Sequence, residues 1–285
     1  MLIWLIGKKG LLAQAFAHFF QQKGLTFFQT GQKEVDITDA SSVEKIIKEK
    51  KTTHIFNCAA FTNVDLAEKE KEKAFAINVT APKFLAKYSK AFGAKLLHFS
   101  TDYVFDGNKS SFYEENDKVN PVNFYGKTKL QGEEEVQKEN SESLILRTAW
   151  LFGFGKSGFF QAILENLKTQ KEIKVIENKA GSPTFCKDLC ELSFFLLDKP
   201  GIYHVVNKGV ASRYELAKFM LQFLQKKGIG KNWKVLAAPS SAFANRAPRP
   251  TFTPLSTQKL EEAIKKVPRK WEQALEEYLQ QETFL

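Results

Sequence analysis

A tyrosine and a lysine four residues apart are the pair whose spacing points most directly to chemistry. Tyr125 and Lys129 fall on one face of a helix at this spacing. The pKa of a phenol, about 10, must move by about three units, or about 4 kcal/mol, before the group exchanges protons readily near neutral pH. An ammonium about 4 Å away, at an effective dielectric of about 20, supplies that energy. The pair can therefore protonate a carbonyl oxygen, although the same spacing also fits an ordinary exposed helix pair.

A hydroxyl group is predicted to reach the same place from a neighbouring strand. The apolar run Leu96–Ser100 predicts a strand, and Thr101 and Asp102 follow at its carboxyl end. One crossover separates this strand from the helix of Tyr125. A hydroxyl at that edge can hold the carbonyl oxygen that the phenol protonates.

Gly7 and Gly10 lie between the first predicted strand and the first predicted helix, in the pattern Gly7-x-x-Gly10-x-x-Ala13. In such a turn the backbone amides and the positive end of the helix receive a pyrophosphate. Glycine turns also join strands to helices without any ligand, so the pattern alone leaves a plain structural turn open. Its place at the first turn of an alternating chain favours a dinucleotide site.

The end of the second predicted strand bears on the choice of nicotinamide cofactor. An NAD site usually offers a carboxylate to the adenosine ribose there, and the stretch from Phe27 to Lys33 has none. Lys33 suits a 2′-phosphate, so we expect NADPH, with NADH as the alternative; Lys33 can equally be one more surface lysine. Asp36 and Ile37 follow in the sequence, where they would contact the edge of the adenine ring.

The elements that must position these residues alternate along the chain. Apolar runs and helical periodicity predict strands at Leu2–Ile6, Leu25–Gln29, His54–Cys58, Lys95–Ser100 and Leu144–Thr148, separated by helices that include Ser41–Lys50, Asn78–Phe92 and Asn123–Lys138. Such alternation predicts an α/β fold of the Rossmann type, a doubly wound parallel sheet with helices on both faces.

The rest of the chain continues the pattern more loosely. Helices are predicted at Phe159–Leu167, Leu189–Leu197 and Tyr214–Leu224, and strands at Ile173–Ile176 and Ile202–Val206, before a proline-punctuated stretch from Ala237 to Pro254. We therefore expect residues 1–155 to form the NAD(P)-binding core. Residues 156–285 would interleave the remaining core elements with a smaller C-terminal substrate-binding lobe.

Composition excludes several classes of protein. Lysine and arginine number 42 against 32 acidic residues, a net charge of +10, but only five of the basic residues are arginines and the lysines alternate with glutamates at 69–73. This favours a solvated surface that attracts an acidic ligand such as a nucleotide, and argues against nucleic-acid binding. Three cysteines at spacings that fit no zinc site suit the cytoplasm. No stretch approaches the roughly 20 apolar residues of a membrane span.

Several segments together resemble the dTDP-4-dehydrorhamnose reductase family, extended short-chain dehydrogenases/reductases that act on nucleotide sugars. The resemblance covers nearly the whole chain and is carried by the segments 57–68, 100–107, 125–133, 146–153, 181–184 and 249–250. It implies a reductase that delivers a hydride from NADPH to C4 of a 4-keto-6-deoxy sugar carried on dTDP, with dTDP-4-dehydro-L-rhamnose as the expected substrate.

The resemblance also implies roles for individual residues. The catalytic set would be Thr101, Tyr125 and Lys129, with Tyr125 as the proton donor. The cofactor would be bound by Gly7, Gly10, Leu11, Leu12, Lys33, Asp36, Ile37, Ala59, Ala60, Thr62, Tyr125 and Lys129. The substrate would be bound by Asp65, Thr101, Asp102, Tyr103, Trp150 and Arg249. No carboxylate occupies the early-helix position through which some members bridge dimers with Mg²⁺, so we expect no metal, in a monomer or a homodimer.

Three departures from the family pattern lie on the substrate side. They are Gly158, Lys179 and the pair Phe252-Thr253. Two alternative functions remain beside the reductase. One is a sugar-nucleotide epimerase or dehydratase of the same superfamily, which retains NAD. The other is a non-catalytic NAD(P)-binding regulatory subunit.

Overall fold

Strands and helices alternate in the computed structural model, which describes residues 1–153, 158–243 and 246–281. The strands are β1 (Leu2–Ile6), β2 (Thr26–Thr30), β3 (His54–Asn57), β4 (Lys95–Thr101), β5 (Leu144–Thr148), β6 (Leu151–Phe152), β7 (Glu172–Ile176), β8 (Ala180–Gly181), β9 (Thr184–Phe185), β10 (Gly201–His204), β11 (Ala211–Ser212) and β12 (Lys234–Ala238). The helices are α1 (Leu11–Gln22), α2 (Ala40–Lys50), α3 (Val64–Ala67), α4 (Lys71–Phe75), α5 (Ala81–Ala91), α6 (Phe124–Glu139), α7 (Phe159–Gln170), α8 (Cys186–Phe195), α9 (Arg213–Lys226), α10 (Gln258–Ile264) and α11 (Trp271–Gln281).

Six strands form one parallel sheet in the order β2-β1-β3-β4-β5-β10. The central strands are buried on both faces, so they are runs of apolar residues rather than alternating patterns. The chain turns back across the sheet between β1 and β3, which is where ligands bind in open sheets of this kind. The predicted doubly wound fold is confirmed.

The first helix packs on the sheet through phenylalanines. Phe16 and Phe20, four residues apart on α1, each place a ring 5.1 Å from the ring of Phe56 in β3. All three side chains are buried, and each contributes about 1.5–3 kcal/mol by leaving water. This packing fixes the start of α1, and with it the loop from Gly7 to Gly10.

A second core lies in the C-terminal half. Leu164 of α7, Leu224 of α9 and Leu275 of α11 meet there, and β12 pairs with β7 in parallel beside them. The boundary predicted between residues 155 and 156 lies outside the described residues, and β10 joins the main sheet from beyond it. The division into a core and a substrate lobe stays a prediction.

The helix predicted over Asn78–Phe92 is wrong in its first turn. A π-helical turn, Ala76–Thr80, joins α4 to α5. The wider turn directs the amide of Asn78 to the hydroxyl of Thr128 at 3.0 Å and to the carbonyl of Phe61 at 3.1 Å. Hydrophobic spacing does not reveal such bulges, because they occur where a polar side chain must reach a buried partner.

Among the described residues, no helix combines the length and the apolar composition that crossing a lipid bilayer requires.

Candidate active site

Thr101 and Tyr125 meet at the carboxyl edge of the sheet. Thr101 is the last residue of β4 and is buried, while Tyr125 lies in the first turn of α6 and is partly exposed. The side chain of Asn123 caps α6 by accepting a hydrogen bond of 2.8 Å from Gly126 N, which fixes where that turn begins. The side chain of Thr101 is close enough to the phenol of Tyr125 to act on its pKa, so both hydroxyls can contact one carbonyl oxygen.

Lys129 lies one helical turn beyond Tyr125, beneath the sheet edge. Only 1% of the residue is exposed, and Nζ donates a hydrogen bond of 2.7 Å to the carbonyl oxygen of Phe99. Nε2 of His98 lies 3.4 Å from the same nitrogen. Burial lowers the pKa of Lys129 to about 8, while the nearby Glu133 acts in the opposite direction. The ammonium is therefore poised to give up a proton within the ordinary pH range.

The surroundings of Tyr125 keep its phenol protonated, so the expectation that Lys129 lowers the phenol pKa toward neutral is wrong for this structure. Burial raises its pKa, the negative charge of Asp102 acts in the same direction, and the contact with Thr101 lowers it. The ring of Tyr103 packs edge-on against that of Tyr125 with centroids 5.8 Å apart. A protonated phenol facing a cleft can act as a proton donor.

Asp102 is a buried carboxylate beside this pair. It accepts hydrogen bonds from Thr253 Oγ1 at 2.6 Å and from Thr101 Oγ1 at 3.1 Å, and burial raises its pKa to about 6. Thr253 belongs to one of the three departures from the family pattern. That departure therefore contacts the predicted catalytic set directly.

Asp65 and Arg249, which are 184 residues apart, form a two-pronged ion pair. Arg249 Nη1 and Nη2 donate to the two carboxylate oxygens at 3.0 and 2.8 Å, and Ala247 N donates to Asp65 at 2.7 Å. The guanidinium accordingly holds the pKa of Asp65 below its usual value. Lys179, a second departure, donates 2.6 Å to the carbonyl oxygen of Arg249. We call residues 246–250 with Asp65 the clasp.

Arg213 stacks on Trp150, and the sequence interpretation did not include Arg213 in the site. The guanidinium of Arg213 lies over the ring of Trp150, 4.0 Å from the centroid. The two residues are 63 positions apart, and no motif in the sequence marks Arg213. Arg213 interacts electrostatically with Asp102, Tyr103 and Arg249, which indicates that it faces the same cleft.

The predicted pyrophosphate loop lies at the other side of the site, where the chain reverses between β1 and β3. Gly7 has φ +101°, and a Cβ atom there would lie 3.1 Å from Ala59 N and from the carbonyl group of Cys58, so only glycine lets the two loops approach. Gly10 precedes α1 without a side-chain cap, which leaves the first amides of α1, at Leu11 and Leu12, without intrahelical acceptors. Ala59 and Ala60 are partly exposed beside them and Thr62 is exposed.

The residues predicted to meet the adenosine have mixed surroundings. Lys33 is exposed, whereas Ile37 is buried in the core with Val43 and Ile47. Asp36 accepts hydrogen bonds from the backbone and hydroxyl of Thr38 at 2.9 and 2.6 Å. Glu34 accepts from Gly31 N and pairs with Lys8 at 3.1 Å, so Lys8 neutralises the carboxylate nearest to the glycine loop.

No group of three histidine, cysteine or acidic side chains is close enough to hold a metal ion within residues 1–153, 158–243 and 246–281. The expectation that no metal is bound stays a prediction.

Known proteins match this chain over nearly its whole length. Residues 1–284 match the family model of the RmlD substrate binding domain. The chain is 37% identical over 276 residues to the spore coat polysaccharide biosynthesis protein SpsK of Bacillus subtilis, covering 96% of this chain and 95% of that one. It is 35% identical to the dTDP-4-dehydrorhamnose reductase of Mycolicibacterium smegmatis, covering 96% and 84%.

A solved structure also has the same fold over nearly the whole chain. The crystal structure of dTDP-4-dehydrorhamnose reductase from Bacillus anthracis in complex with NADP superposes with a TM-score of 0.93 at 30% identity, covering 99% of each chain. The match spans the sheet, the glycine loop and the C-terminal lobe. The chain therefore belongs to the RmlD substrate binding domain family.

Proposed function

We propose that this chain is an NADPH-dependent reductase that converts the C4 carbonyl of dTDP-4-dehydro-L-rhamnose to the alcohol of dTDP-L-rhamnose. The observation that carries the proposal is the contact between Thr101 and Tyr125 with Lys129 one turn behind. Membership of the family and the names of the relatives support a sugar-nucleotide reductase. The sugar itself is the finer part of the proposal.

The fit of a dinucleotide rests on the glycine loop. The close approach of Gly7 to the loop after β3, and the uncapped amides of Leu11 and Leu12, form a cradle for a pyrophosphate. Ala59, Ala60 and Thr62 would continue the binding surface toward Tyr125 and Lys129, and Lys33, Asp36 and Ile37 lie toward the adenosine. When bound, the reduced nicotinamide supplies the hydride that becomes the C4 hydrogen of the product.

The chain's own residues supply the proton and hold the carbonyl. Thr101 turns its single hydroxyl proton from Asp102 to the C4 carbonyl oxygen, Tyr125 donates a second hydrogen bond to that oxygen, and Tyr125 transfers its phenolic proton to it as the alkoxide forms. The positive charge of Lys129 stabilises the phenolate that remains, by electrostatic attraction. Lys129 also has donors left to bind the nicotinamide ribose beyond its bond to Phe99.

The residues predicted to bind the substrate lie around this centre. Asp102 and Tyr103 flank Thr101, Trp150 follows β5, and the clasp brings Asp65 and Arg249 across the cleft. We propose that these residues contact the sugar or its nucleotide. The closing of the clasp excludes water from a carbonyl that is about to be reduced.

The direct test uses purified protein, dTDP-4-dehydro-L-rhamnose and NADPH carrying deuterium at the transferable position. We expect loss of NADPH absorbance and a product with deuterium at C4, identified by NMR spectroscopy as dTDP-L-rhamnose. A matched assay with the corresponding UDP sugar reports on the nucleotide.

Other outcomes would contradict the proposal. Interconversion of sugars with no net consumption of cofactor, in protein that retains NAD through purification, would identify an epimerase or dehydratase. Tight cofactor binding without turnover of any 4-keto sugar nucleotide would identify a regulatory subunit.

A further inference from the structure

Arg213 begins α9 and is held between two aromatic rings. Its guanidinium carbon lies 4.0 Å from the ring centroid of Trp150 and 4.9 Å from that of Phe159. Guanidinium groups stack well on aromatic faces and keep their in-plane N–H donors free to bind other groups. The stacking therefore fixes the plane of the fork without occupying its donors.

Trp150 is itself fixed in place. Its φ of +47° lies in the left-handed region, a strained conformation for a bulky residue that persists only where surrounding contacts impose it. Gly181 packs against the indole so closely that a Cβ atom there would lie 2.6 Å from Cε2. This contact holds the ring in place, which makes it a platform for Arg213.

The charge on Arg213 lacks a counter-ion. Arg147 pairs with Glu133, Arg249 with Asp65, and Arg269 with Asp188 and Glu277. Arg213 forms no ion pair with any residue that the structure describes. Burial lowers its pKa, with Tyr103 and Asp102 acting to raise it, but a guanidinium remains charged in proteins. Arg213 is partly exposed, so an anion that enters the cleft can reach its donors, and the partial burial of the cation favours such an anion.

Arg249, the arginine that the sequence singled out, is differently placed. Its Nη1 and Nη2 donate to Asp65, and Nη1 also donates 2.9 Å to the carbonyl oxygen of Ala247. An incoming anion would have to compete with the Asp65 carboxylate, which already accepts from both terminal nitrogens of the Arg249 guanidinium. At Arg213 no carboxylate of the described chain forms an ion pair or a hydrogen bond with the fork, and Asp102 acts on it only through longer-range electrostatic attraction.

We infer that Arg213, stacked on Trp150, binds the diphosphate of the substrate. The inference rests on the proposed function, since it takes the ligand to be a nucleoside diphosphate sugar. A planar fork binds two phosphate oxygens side by side, and Arg213 lies beside the Asp102 and Tyr103 pair that flanks Thr101. Arg249 then serves to hold the clasp rather than to make the first contact with phosphate.

The test is calorimetric binding to the full chain saturated with NADP⁺, so that the glycine loop is filled. The probes are inorganic pyrophosphate, dTDP and thymidine. Replacing Arg213 with glutamine should lower the binding affinities for pyrophosphate and dTDP by about tenfold to a hundredfold, as expected for a lost charge-assisted hydrogen bond. Thymidine and NADP⁺ affinities should stay within a few-fold.

Lys218→Gln is the matched control. Lys218 is an exposed cation on the same helix, 5.8 Å from the ring centroid of Tyr214, so its loss removes the same charge without touching Trp150. Equal pyrophosphate and dTDP affinities in Arg213→Gln and Lys218→Gln would overturn the inference. If the glutamine variant does not fold, Arg213→Lys replaces it: unchanged dTDP affinity would overturn the role of the fork, and an intermediate loss supports it.

A further titration with UDP separates this inference from the proposed function. If UDP binds better than dTDP, and its affinity still depends on Arg213, the proposed nucleotide is wrong and the role of Arg213 stands.

Discussion

At the scale of single residues, Tyr125 is the group on which the proposed chemistry depends. Tyr125→Phe removes only the phenolic oxygen, so NADPH affinity should stay within a few-fold while kcat falls by at least about 10²-fold, the usual contribution of a positioned acid. Steady-state kinetics with the 4-keto sugar nucleotide, together with cofactor titration, measures both.

Tyr88→Phe is the control for that variant, because Tyr88 lies on α5 against the opposite core. It should leave kcat unchanged. Turnover near the wild-type value in Tyr125→Phe would remove the residue from the catalytic role.

Asp102 should make stability depend on pH in a direction opposite to that of most carboxylates. Its pKa is about 6 when folded against a usual value of 3.8, so between these values the folded state binds more protons than the unfolded state. Stability contributed by Asp102 is therefore lost as pH rises from about 4 to about 6, by about 3 kcal/mol. In Asp102→Asn this part of the pH dependence should vanish. Urea unfolding at both ends of that window, compared between wild type and variant, checks it; parallel curves would show that Asp102 ionises normally.

Lys33 should set the preference between the two nicotinamide cofactors. It is exposed beside the glycine loop, and a contact to the 2′-phosphate amounts to about 1.5–3 kcal/mol, so Lys33→Ala should narrow the NADPH/NADH ratio of kcat/KM by roughly tenfold to a hundredfold. Lys48→Ala, an exposed lysine on α2, should leave the ratio alone. An unchanged ratio in Lys33→Ala would make it an ordinary surface residue.

Local spacing could predict the proximity of Thr101, Tyr125 and Lys129 but not their charged surroundings. Thr101, Tyr125 and Lys129 were found because strand ends and helix turns place nearby residues predictably. Arg213 reaches Trp150, and Thr253 reaches Asp102, across 63 and 151 positions, and such contacts depend on how the C-terminal lobe packs. The roles of the residues in the proposed site remain predictions.

At the scale of elements, one buried ion pair joins α6 to β5. Arg147 donates to Glu133 through Nε at 3.0 Å and Nη2 at 2.7 Å, and the side chains are 3% and 2% exposed. Removing one charge leaves the other buried alone, which costs about 3–5 kcal/mol. Glu133→Gln should therefore lower the free energy of unfolding by roughly that amount. Because α6 carries Tyr125 and Lys129, we also expect lower kcat.

Glu134→Gln, an exposed neighbour on the same helix, should change the free energy of unfolding by less than about 0.5 kcal/mol. Denaturant titration of both variants distinguishes them. Equal stabilities would mean that the buried pair contributes nothing beyond a neutral contact.

The strands of the main sheet could be predicted because each is a short apolar run between turns, and their observed bounds differ by only a few residues. Several shorter elements and the C-terminal ones were not predicted. β12 is a largely exposed edge strand, and its pairing with β7 is set by tertiary contacts. α10 buries only Leu260, so its apolar spacing gives little signal. α11 buries Trp271, Ala274, Leu275, Tyr278 and Leu279 at helical spacing, a signal that the sequence interpretation missed.

At the scale of the whole molecule, the clasp links the C-terminal half of the chain to the first half. Arg249→Ala removes both hydrogen bonds to Asp65, so the loop should close less often and KM for the sugar nucleotide should rise by about tenfold to a hundredfold. NADPH affinity should not change, because the glycine loop lies elsewhere. Arg249→Lys should recover only part of the loss, since a point charge cannot reproduce the fork.

Arg246→Ala is the control for the clasp, since Arg246 is an exposed arginine in the same loop whose guanidinium lies over Phe243. KM should stay near the wild-type value there. The same increase in KM for both variants would mean that the loop contributes general positive charge rather than a specific link.

The pairing of β10 with β5 has a consequence for how the protein is made. Synthesis proceeds from the N-terminus, so five of the six strands of the sheet leave the ribosome before β10, whose residues are 201–204. Until then the backbone of β5 is an unpaired edge, and at roughly 5–20 residues per second several seconds separate the two strands. An apolar edge exposed for that time is where nascent chains associate with one another or with chaperones. The last strand therefore ends the period in which the growing chain is most prone to aggregate.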